Sequence, residues 1–156
     1  MTQQNTTLGL NEVQLMYSPS KDILLRQKIN GSQSAYDEVK KSFNQSTIGC
    51  QEEFIVLLLN RANIPIGVYK ASRGGMDSTL IDVKLLLATA LKALASGIII
   101  SHNHPSGMSK PSESDLGITR KINKACKLLD ITLLDHIIVT PFGEYMSFAD
   151  ENLLSQ

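Results

Sequence analysis

The chain has 156 residues, of which 42% are apolar and 19% are charged, and fifteen Lys and Arg residues balance fifteen Asp and Glu residues. Length and composition predict one soluble globular domain over residues 9–156, preceded by a flexible stretch at residues 1–8. The net charge of zero gives no overall attraction to phosphate backbones, and Trp is absent, so we expect any binding of nucleic acid to be weak.

Apolar patterning predicts three strands in the first half of the chain. They lie at residues 12–17, 54–59 and 64–69. The second and third are expected to form a hairpin across a turn at residues 60–63, and Pro65 and Gly67 favour an edge position or a bulge in the third. A loop is expected at residues 71–78, which include two adjacent glycines.

Capping residues and apolar periodicity predict a helix on either side of this hairpin. Ser34, with Asp37 three residues later, is expected to cap a helix that ends near Asn44. Asp82 is expected to cap the next helix, whose apolar residues recur at i, i+3, i+4 and i+7. Gly97 is expected to close that helix in the C′ position.

The last third of the chain predicts another helix and several short strands. The helix is expected from Ser112 to about Leu129, since apolar residues share one of its faces. The strands are expected at residues 98–100, 131–134, 137–140 and 145–148. The alternation of helices with buried strands predicts an α/β domain, in which helices flank a mixed central β-sheet.

Targeting and redox signals are weak in this sequence. The N-terminal region lacks a basic stretch followed by a long apolar run, and no uncharged apolar segment reaches about 18 residues. These features predict a cytoplasmic protein with no membrane partner. Cys50 and Cys126 are too few for a disulfide framework, and Cys126 is expected to be a small core residue, although thiols can in principle bind zinc.

Two of the three histidines follow the predicted strand 98–100 directly. His102 and His104 are two positions apart, so on extended backbone both side chains point to the same side. Alone, this pair could be two surface histidines of a loop, because the motif is short. Asp115 follows eleven residues after His104 and adds a carboxylate. Two imidazoles and one carboxylate leave a fourth tetrahedral position open, which is typical of catalytic zinc sites.

Ser112 and Asp115 also fit the pattern of a helix capping box, which needs no catalysis. Both interpretations can hold together, because a helix start is a rigid place from which to direct Asp115 at a metal. We then expect the reciprocal box to be incomplete, since the carboxylate is needed elsewhere. The Ser112 hydroxyl could donate to a developing oxyanion.

Residues 51–149 resemble the RadC family, whose members carry a JAB/MPN+ (JAMM) metalloprotease-like domain. The resemblance rests on Glu52, on His102-Asn103-His104-Pro105-Ser106-Gly107, on Pro111-Ser112-Glu113-Ser114-Asp115, on Leu134-Asp135-His136-Ile137-Ile138, and on Ser147-Phe148. It implies one Zn²⁺ ion per chain, held by His102, His104 and Asp115. It also implies a JAB/MPN-type α/β fold similar to that of cytidine deaminases.

The resemblance implies a zinc-dependent hydrolase of the JAMM type, in which zinc-activated water attacks a peptide or isopeptide carbonyl of a protein or peptide substrate. Glu52 is the implied general base and acid, and Ser112 the implied oxyanion donor. Glu53 points to the other face of the strand, and the family pattern of Glu, one residue, then Phe selects Glu52. His136, which the family motif includes, could be a further ligand, but it is expected to be a hydrogen-bonded structural histidine that at most contacts a ligand.

Other zinc enzymes fit the sequence less well. It lacks the His-x-Glu and Pro-Cys-x-x-Cys motifs of nucleobase deaminases and the His-Glu-x-x-His motif of other metalloproteases. The alternative to a hydrolase is a non-hydrolytic, metal-binding interaction module of the RadC family, acting in DNA repair or mobile-element DNA metabolism. Longer family members carry a helix-hairpin-helix region, and residues 1–50 contain no such motif.

Overall fold

A five-stranded mixed sheet with helices on both faces organises the chain. The computed structural model describes residues 18, 20–73 and 81–154. The strands are β1 (Glu53–Leu59), β2 (Pro65–Arg73), β3 (Gly97–Asn103), β4 (Thr132–Val139) and β5 (Tyr145–Ser147). The helices are α1 (Ser32–Val39), α2 (Val83–Lys92) and α3 (Glu113–Leu128), with short 3₁₀ helices at Lys21–Leu25 and Lys40–Ser42.

The strand order is β2-β1-β3-β4-β5, in which β3 and β4 are parallel and the other neighbours are antiparallel. This arrangement confirms the predicted α/β class and the mixed central sheet. The hairpin of β1 and β2 and the edge position of β2 are also confirmed, with a register shift where Leu58 and Leu59 face Gly67 and Pro65. No helix in the described part of the chain is both long and apolar enough to cross a bilayer.

Side chains of β1 and β3 alternate between two hydrophobic cores. Phe54 and Ile100 belong to the core that the sheet shares with α2 and α3, whereas Ile55 and Ile99 belong to the core beneath α1. Because helices cover both faces of the sheet, side chains on both sides of these strands are buried, and the strand sequences are continuous apolar runs. His102 follows Ile100 by two residues and therefore faces α2 and α3.

Helix α3 connects the parallel strands β3 and β4 and packs on the sheet through fully buried Ile122 and Cys126. Cys126 is thus a core residue, as predicted, and burial raises the pKa of its thiol to about 11, so it stays protonated at neutral pH. Because α3 crosses back over the sheet, its first turn lies beside the carboxyl end of β3, where ligand sites of α/β proteins commonly form.

Both long helices end in a residue with left-handed backbone, which corrects the role predicted for Gly97. After α2, Leu94 has φ +54°, and the amide of Ala95 donates to the carbonyl of Ala90 at 3.0 Å. This is a Schellman motif completed without glycine. Gly97 instead begins β3, where a Cβ atom would lie 2.8 Å from Leu134 Cδ1. Close packing between strands explains this glycine.

The start of the first helix also differs from the prediction. Helix α1 begins at Ser32 with Gly31 as its N-cap, so Ser34 is the third helical residue and not the cap. Its hydroxyl donates to the Gly31 carbonyl at 2.8 Å and accepts from the Gly31 amide at 3.2 Å. The hydroxyl thus satisfies the helix end from inside the first turn. Helical structure continues to Ser42, close to the predicted end.

Two strands are longer than predicted. Strand β2 continues through Arg73 into the predicted loop 71–78, and β4 runs unbroken through Asp135 and His136. These two polar residues are buried and hydrogen-bonded, so they do not interrupt the strand. The remainder of that predicted loop, the predicted strand 12–17 and the predicted flexible stretch 1–8 lie outside the described residues.

We expect Ile100→Ala to lower the free energy of unfolding by about 2–5 kcal/mol, because its side chain is fully buried in the core beside the predicted site. The matched control is Leu128→Ala on α3, which is 86% exposed and should change stability by no more than about 0.5 kcal/mol. Urea unfolding followed by circular dichroism measures both values. Equal effects would show that the core is not where the structure places it.

Candidate metal centre

Three side chains that are apart in sequence converge at the carboxyl end of β3. His102 Nε2 lies 2.9 Å from His104 Nε2 and 3.1 Å from Asp115 Oδ1, and His104 Nε2 lies 3.5 Å from Asp115 Oδ2. His102 belongs to β3, His104 follows that strand directly, and Asp115 lies in the first turn of α3. Within the described residues, these three side chains form a group that could hold one metal ion.

The turn after β3 orients the His104 ring. Its Nδ1 lies 2.7 Å from the Met108 carbonyl, and since a carbonyl only accepts, Nδ1 carries the proton. The lone pair of Nε2 therefore faces His102 and Asp115. Gly107 makes this turn possible with φ +83°, a conformation that other residues rarely adopt, and a Cβ atom there would lie 2.3 Å from Phe142 Cε2.

The reciprocal capping box of α3 is complete, so the expectation that it would be incomplete is wrong. The Asp115 amide donates to Ser112 Oγ at 3.1 Å, and Asp115 Oδ2 accepts from both the amide and the hydroxyl of Ser112 at 2.7 Å. Asp115 Oδ1 stays directed at His102. A carboxylate has enough lone pairs for both tasks, since Oδ2 accepts from Ser112 and still lies 3.5 Å from His104 Nε2.

The spacing of the three groups suits a small divalent cation. Tetrahedral zinc with ligands at 2.0–2.1 Å places neighbouring ligand atoms about 3.3 Å apart, close to the three separations found here. Three protein ligands also leave one position open, which a catalytic site requires. His102 is buried, whereas His104 and Asp115 are 17% and 14% exposed, so the open side faces solvent past these two residues.

Electrostatics favour a cation at this point. Burial alone would raise the pKa of Asp115, but the hydrogen bonds that His102 and His104 donate when Nε2 carries a proton outweigh it and hold that pKa well below its usual range. The hydrogen bond to Asp115 raises the pKa of His104, whereas burial lowers it. The negative charge of Glu52 also raises this pKa. A proton or a metal ion is therefore stabilised between these groups.

Glu53 is the first residue of β1, and Glu52 directly precedes the strand. Glu53 is 3% exposed and lies near Thr47 and Lys70, with Oε1 3.4 Å from Thr47 Oγ1 and Oε2 3.7 Å from Lys70 Nζ. Glu52 is half-buried just before β1, and the alternation places it on the face of Phe54, whose ring stacks on His102. Its influence on the pKa of His104 places Glu52 within electrostatic range of the ligands.

Asn103 is a residue of the site that the sequence analysis did not single out. Its Oδ1 accepts from the Glu53 amide at 2.7 Å, and its Nδ2 donates to the carbonyls of Gln51 at 2.9 Å and Ile48 at 2.8 Å. The side chain thus holds the backbone on both sides of Glu52. The only sequence signal is its place between the two histidines, because its partners lie about fifty residues earlier.

His136 is hydrogen-bonded and fully buried, which confirms its predicted character. Its Nε2 lies 2.8 Å from His102 Nδ1, and its Nδ1 lies 2.6 Å from Thr119 Oγ1. Both ring nitrogens are therefore engaged, Nε2 with the candidate ligand His102 and Nδ1 with Thr119, so neither is directed at the centre of the ligand group. Burial lowers the pKa of His136 well below its ordinary value, so the ring is neutral. Thr119, on α3, is a second contributor that the sequence analysis missed.

Comparison with known proteins places the site in a family. A family model for the RadC-like JAB domain matches residues 29–153. Curated proteins named UPF0758 are similar: one from Porphyromonas gingivalis is 43% identical over 136 residues, covering 87% of this chain and 59% of that protein. One from Flavobacterium johnsoniae is 40% identical over 134 residues, covering 86% of this chain and 57% of that protein.

A more distant relative from Aquifex aeolicus, also named a UPF0758 protein, is 36% identical over 129 residues, which cover 83% of this chain and 54% of that protein. The chain thus spans little more than half the length of the curated relatives it matches. The matched family segment contains all three members of the candidate ligand group and also Glu52, Asn103, Thr119 and His136.

We expect purified protein loaded with zinc to hold about one equivalent, because the residues that the structure describes contain one group of three potential ligands. His104→Ala should lose most of it, since only two ligands then remain. Glu113→Gln is the matched control: this exposed carboxylate lies in the same helical turn as Asp115 and outside the group. Elemental analysis measures the zinc content, and an unchanged value in His104→Ala would remove the site.

We expect Asn103→Ala to lower the free energy of unfolding by at least about 1–3 kcal/mol, because it leaves a buried amide and two carbonyls without their partner. Hydrogen exchange of amides should become faster over residues 48–53. The amides of α2 serve as the internal control and should exchange as in the wild type. Uniform acceleration over both regions would contradict a local holding role for Asn103.

Proposed function

This chain belongs to the RadC-like JAB domain family, and from that membership we propose that it is a zinc-dependent hydrolase of peptide or isopeptide bonds. The observation that carries the proposal is the convergence of His102, His104 and Asp115 with one side open to solvent. A structural zinc site is normally closed by four protein ligands. An open site at the carboxyl end of a central strand is the arrangement that a reaction needs.

The protein's own residues would hold the ion through His102 Nε2, His104 Nε2 and an Asp115 oxygen. Zinc bound there supplies Lewis acidity, which polarises a carbonyl and makes water a stronger acid. The Ser112–Asp115 capping box supports the reaction by keeping the carboxylate in one orientation. The Met108 carbonyl does the same for the His104 ring.

Glu52 is the proposed proton carrier. Its carboxylate accepts a proton from the attacking water and returns it to the leaving amine, which is general base and then general acid catalysis. The proposal is supported by the face that Glu52 shares with His102 and by its effect on the pKa of His104. Asn103 fixes the backbone on both sides of Glu52, so the carboxylate is attached to a rigid segment.

Ser112 is proposed as an oxyanion donor, with one structural condition. Its hydroxyl already donates to Asp115 Oδ2 at 2.7 Å, so it must turn away from that oxygen to reach a substrate. The Ser112 amide keeps its own bond to Asp115 Oδ2 in either case. Donation to the substrate therefore costs the bond between the Ser112 hydroxyl and the Asp115 carboxylate and leaves both backbone bonds of the capping box in place.

The surface next to the ligands supports a protein or peptide substrate. A groove of about 420 Å³ runs along His104 and Ser112 and combines the apolar Pro105, Met108 and Pro111 with the cationic Lys110. The net charge of zero gives no comparable support to binding of DNA. A cavity of similar size beside α1 lies on the opposite face of the sheet and contains none of the candidate ligands.

We expect Glu52→Gln to keep its zinc and its fold while losing activity by the 10²–10⁴-fold typical of general acid–base catalysis. Glu53→Gln is the matched control, since its carboxylate faces the other side of the sheet and its loss should leave turnover almost unchanged. A screen of peptide and isopeptide-linked reporters provides the substrate, and rates are compared at equal zinc content.

If Glu53→Gln abolishes hydrolysis and Glu52→Gln does not, the assignment of Glu52 as the general base is wrong. If zinc-loaded wild type and Glu52→Gln both leave every reporter intact, the result favours the non-hydrolytic module. In that case, the activity expected of the module is binding of duplex DNA, which is measured at two salt concentrations. The affinity should depend steeply on salt if the protein contacts phosphates.

A further inference from the structure

A chain of hydrogen bonds connects two of the candidate ligands through the protein interior. It begins at His102 Nδ1, which lies 2.8 Å from His136 Nε2, and continues from His136 Nδ1 to Thr119 Oγ1 at 2.6 Å. Thr119 Oγ1 then donates to the backbone carbonyl of Asp115. His102, Thr119 and His136 are each no more than 1% exposed. Solvent therefore does not compete for any of these bonds.

The carbonyl of Asp115 decides which atom donates and which accepts in each hydrogen bond of this series. A carbonyl oxygen only accepts, so the Thr119 hydroxyl must donate to it, and the Thr119 oxygen is left to accept from His136 Nδ1–H. In the neutral ring, His136 Nε2 is then an acceptor, and His102 Nδ1 must be the donor. The proton of His102 is thereby placed on Nδ1, away from Asp115 and His104.

We propose that Thr119 and His136 are positioning residues that hold His102 in the Nδ1–H tautomer and so direct its Nε2 lone pair into the ligand group. The proposal rests on the proposed zinc function, because only a metal site needs that lone pair. Metal-binding histidines are commonly oriented by a partner of their other ring nitrogen. Here the partner is a second histidine, which is itself oriented by a helix residue.

Packing keeps the His136 ring in place for this role. It stacks on Phe148 with ring centroids 4.3 Å apart and an interplanar angle of 21°, and Phe54 lies 5.9 Å away. Among the described residues, no carboxylate contacts its ring nitrogens, which supports a neutral ring in this apolar setting. The backbone amide of His136 donates to Asp135 Oδ1 at 2.7 Å, which fixes the strand beneath it.

The same series of hydrogen bonds connects candidate ligands that lie on different secondary-structure elements. His102 lies on β3 and Asp115 on α3, and His102 Nε2 faces Asp115 Oδ1 at 3.1 Å. The route through His136 and Thr119 returns to the backbone of that same Asp115. The hydrogen bonds and the facing pair His102 Nε2 and Asp115 Oδ1 thus connect β3 and α3 twice, so a displacement of α3 against β3 disturbs the orientation of His102. Thr119 and His136 touch neither substrate nor metal in this scheme.

The tautomer is directly measurable, because the chain has three histidines and gives three imidazole ring systems in a long-range ¹H–¹⁵N correlation spectrum. We expect His136 to carry its proton on Nδ1 in both metal-free and zinc-loaded protein. His102 should carry its proton on Nδ1 once zinc is bound. A His136 ring protonated on Nε2, or on both nitrogens, would overturn the proposal even if zinc binds as expected.

A matched pair of variants tests the cause. Thr119→Val removes the hydroxyl at nearly constant volume, so His136 should lose its fixed tautomer and the zinc dissociation constant should rise about 10–100-fold. Thr119→Ser keeps the hydroxyl and should give the spectrum and the affinity of the wild type. Zinc affinity is measured by competition with a chelator, and circular dichroism confirms that each variant is folded.

Equal zinc affinities and equal His136 spectra in Thr119→Val and Thr119→Ser would contradict the proposal. If Thr119→Val fails to fold, the spectrum of the wild type decides alone. If the wild type binds no zinc, the proposed hydrolase fails, whereas the tautomer of His136 in metal-free protein still tests the hydrogen-bonded chain. The two failures are thus distinguishable.

Discussion

Side chains alternate across β3, and at its carboxyl end this alternation sends His102 toward α3 and Asn103 toward the segment before β1. The segment His102–His104 therefore serves two purposes. Its imidazoles belong to the candidate ligand group, and the side-chain amide of Asn103 holds the backbone around Glu52. A shift of one residue in the register of β3 would exchange these faces. The pairing of Phe54 with His102 keeps the register, because β1 and β3 are antiparallel neighbours along their full apolar length.

The interior part of the site consists of polar groups buried in an apolar core, and this burial determines how much each hydrogen bond contributes to stability. Burying an imidazole or an amide without a partner costs several kcal/mol. His102, Asn103, Thr119 and His136 each have hydrogen-bond partners that satisfy this demand. In a medium of low dielectric constant such bonds are strong and directional. The interior half of the site is therefore rigid, whereas His104 and Asp115 form its accessible half.

The sequence was informative where a signal is local. The apolar runs gave β1 and β3, the two-residue spacing placed both imidazoles on one side, and the Ser112–Asp115 pattern located the start of α3. It was misleading at Gly97 and Ser34, because a glycine can serve close packing as well as a helix end, and a serine can act from inside the first turn. Asn103 and Thr119 could not be recognised, since their partners are set by strand pairing and helix docking.

The unit β3–α3–β4 contains the candidate ligands and also Thr119 and His136, whereas Glu52 directly precedes β1, a strand that pairs with this unit from outside. The contacts that orient the ligands within the unit, such as the one between His102 and His136, do not involve Glu52. The proposed metal affinity and the proposed proton transfer can therefore be lost independently, in relatives as well as in variants. A relative that lost the carboxylate before β1 would keep a complete ligand group and become a metal-binding domain without chemistry.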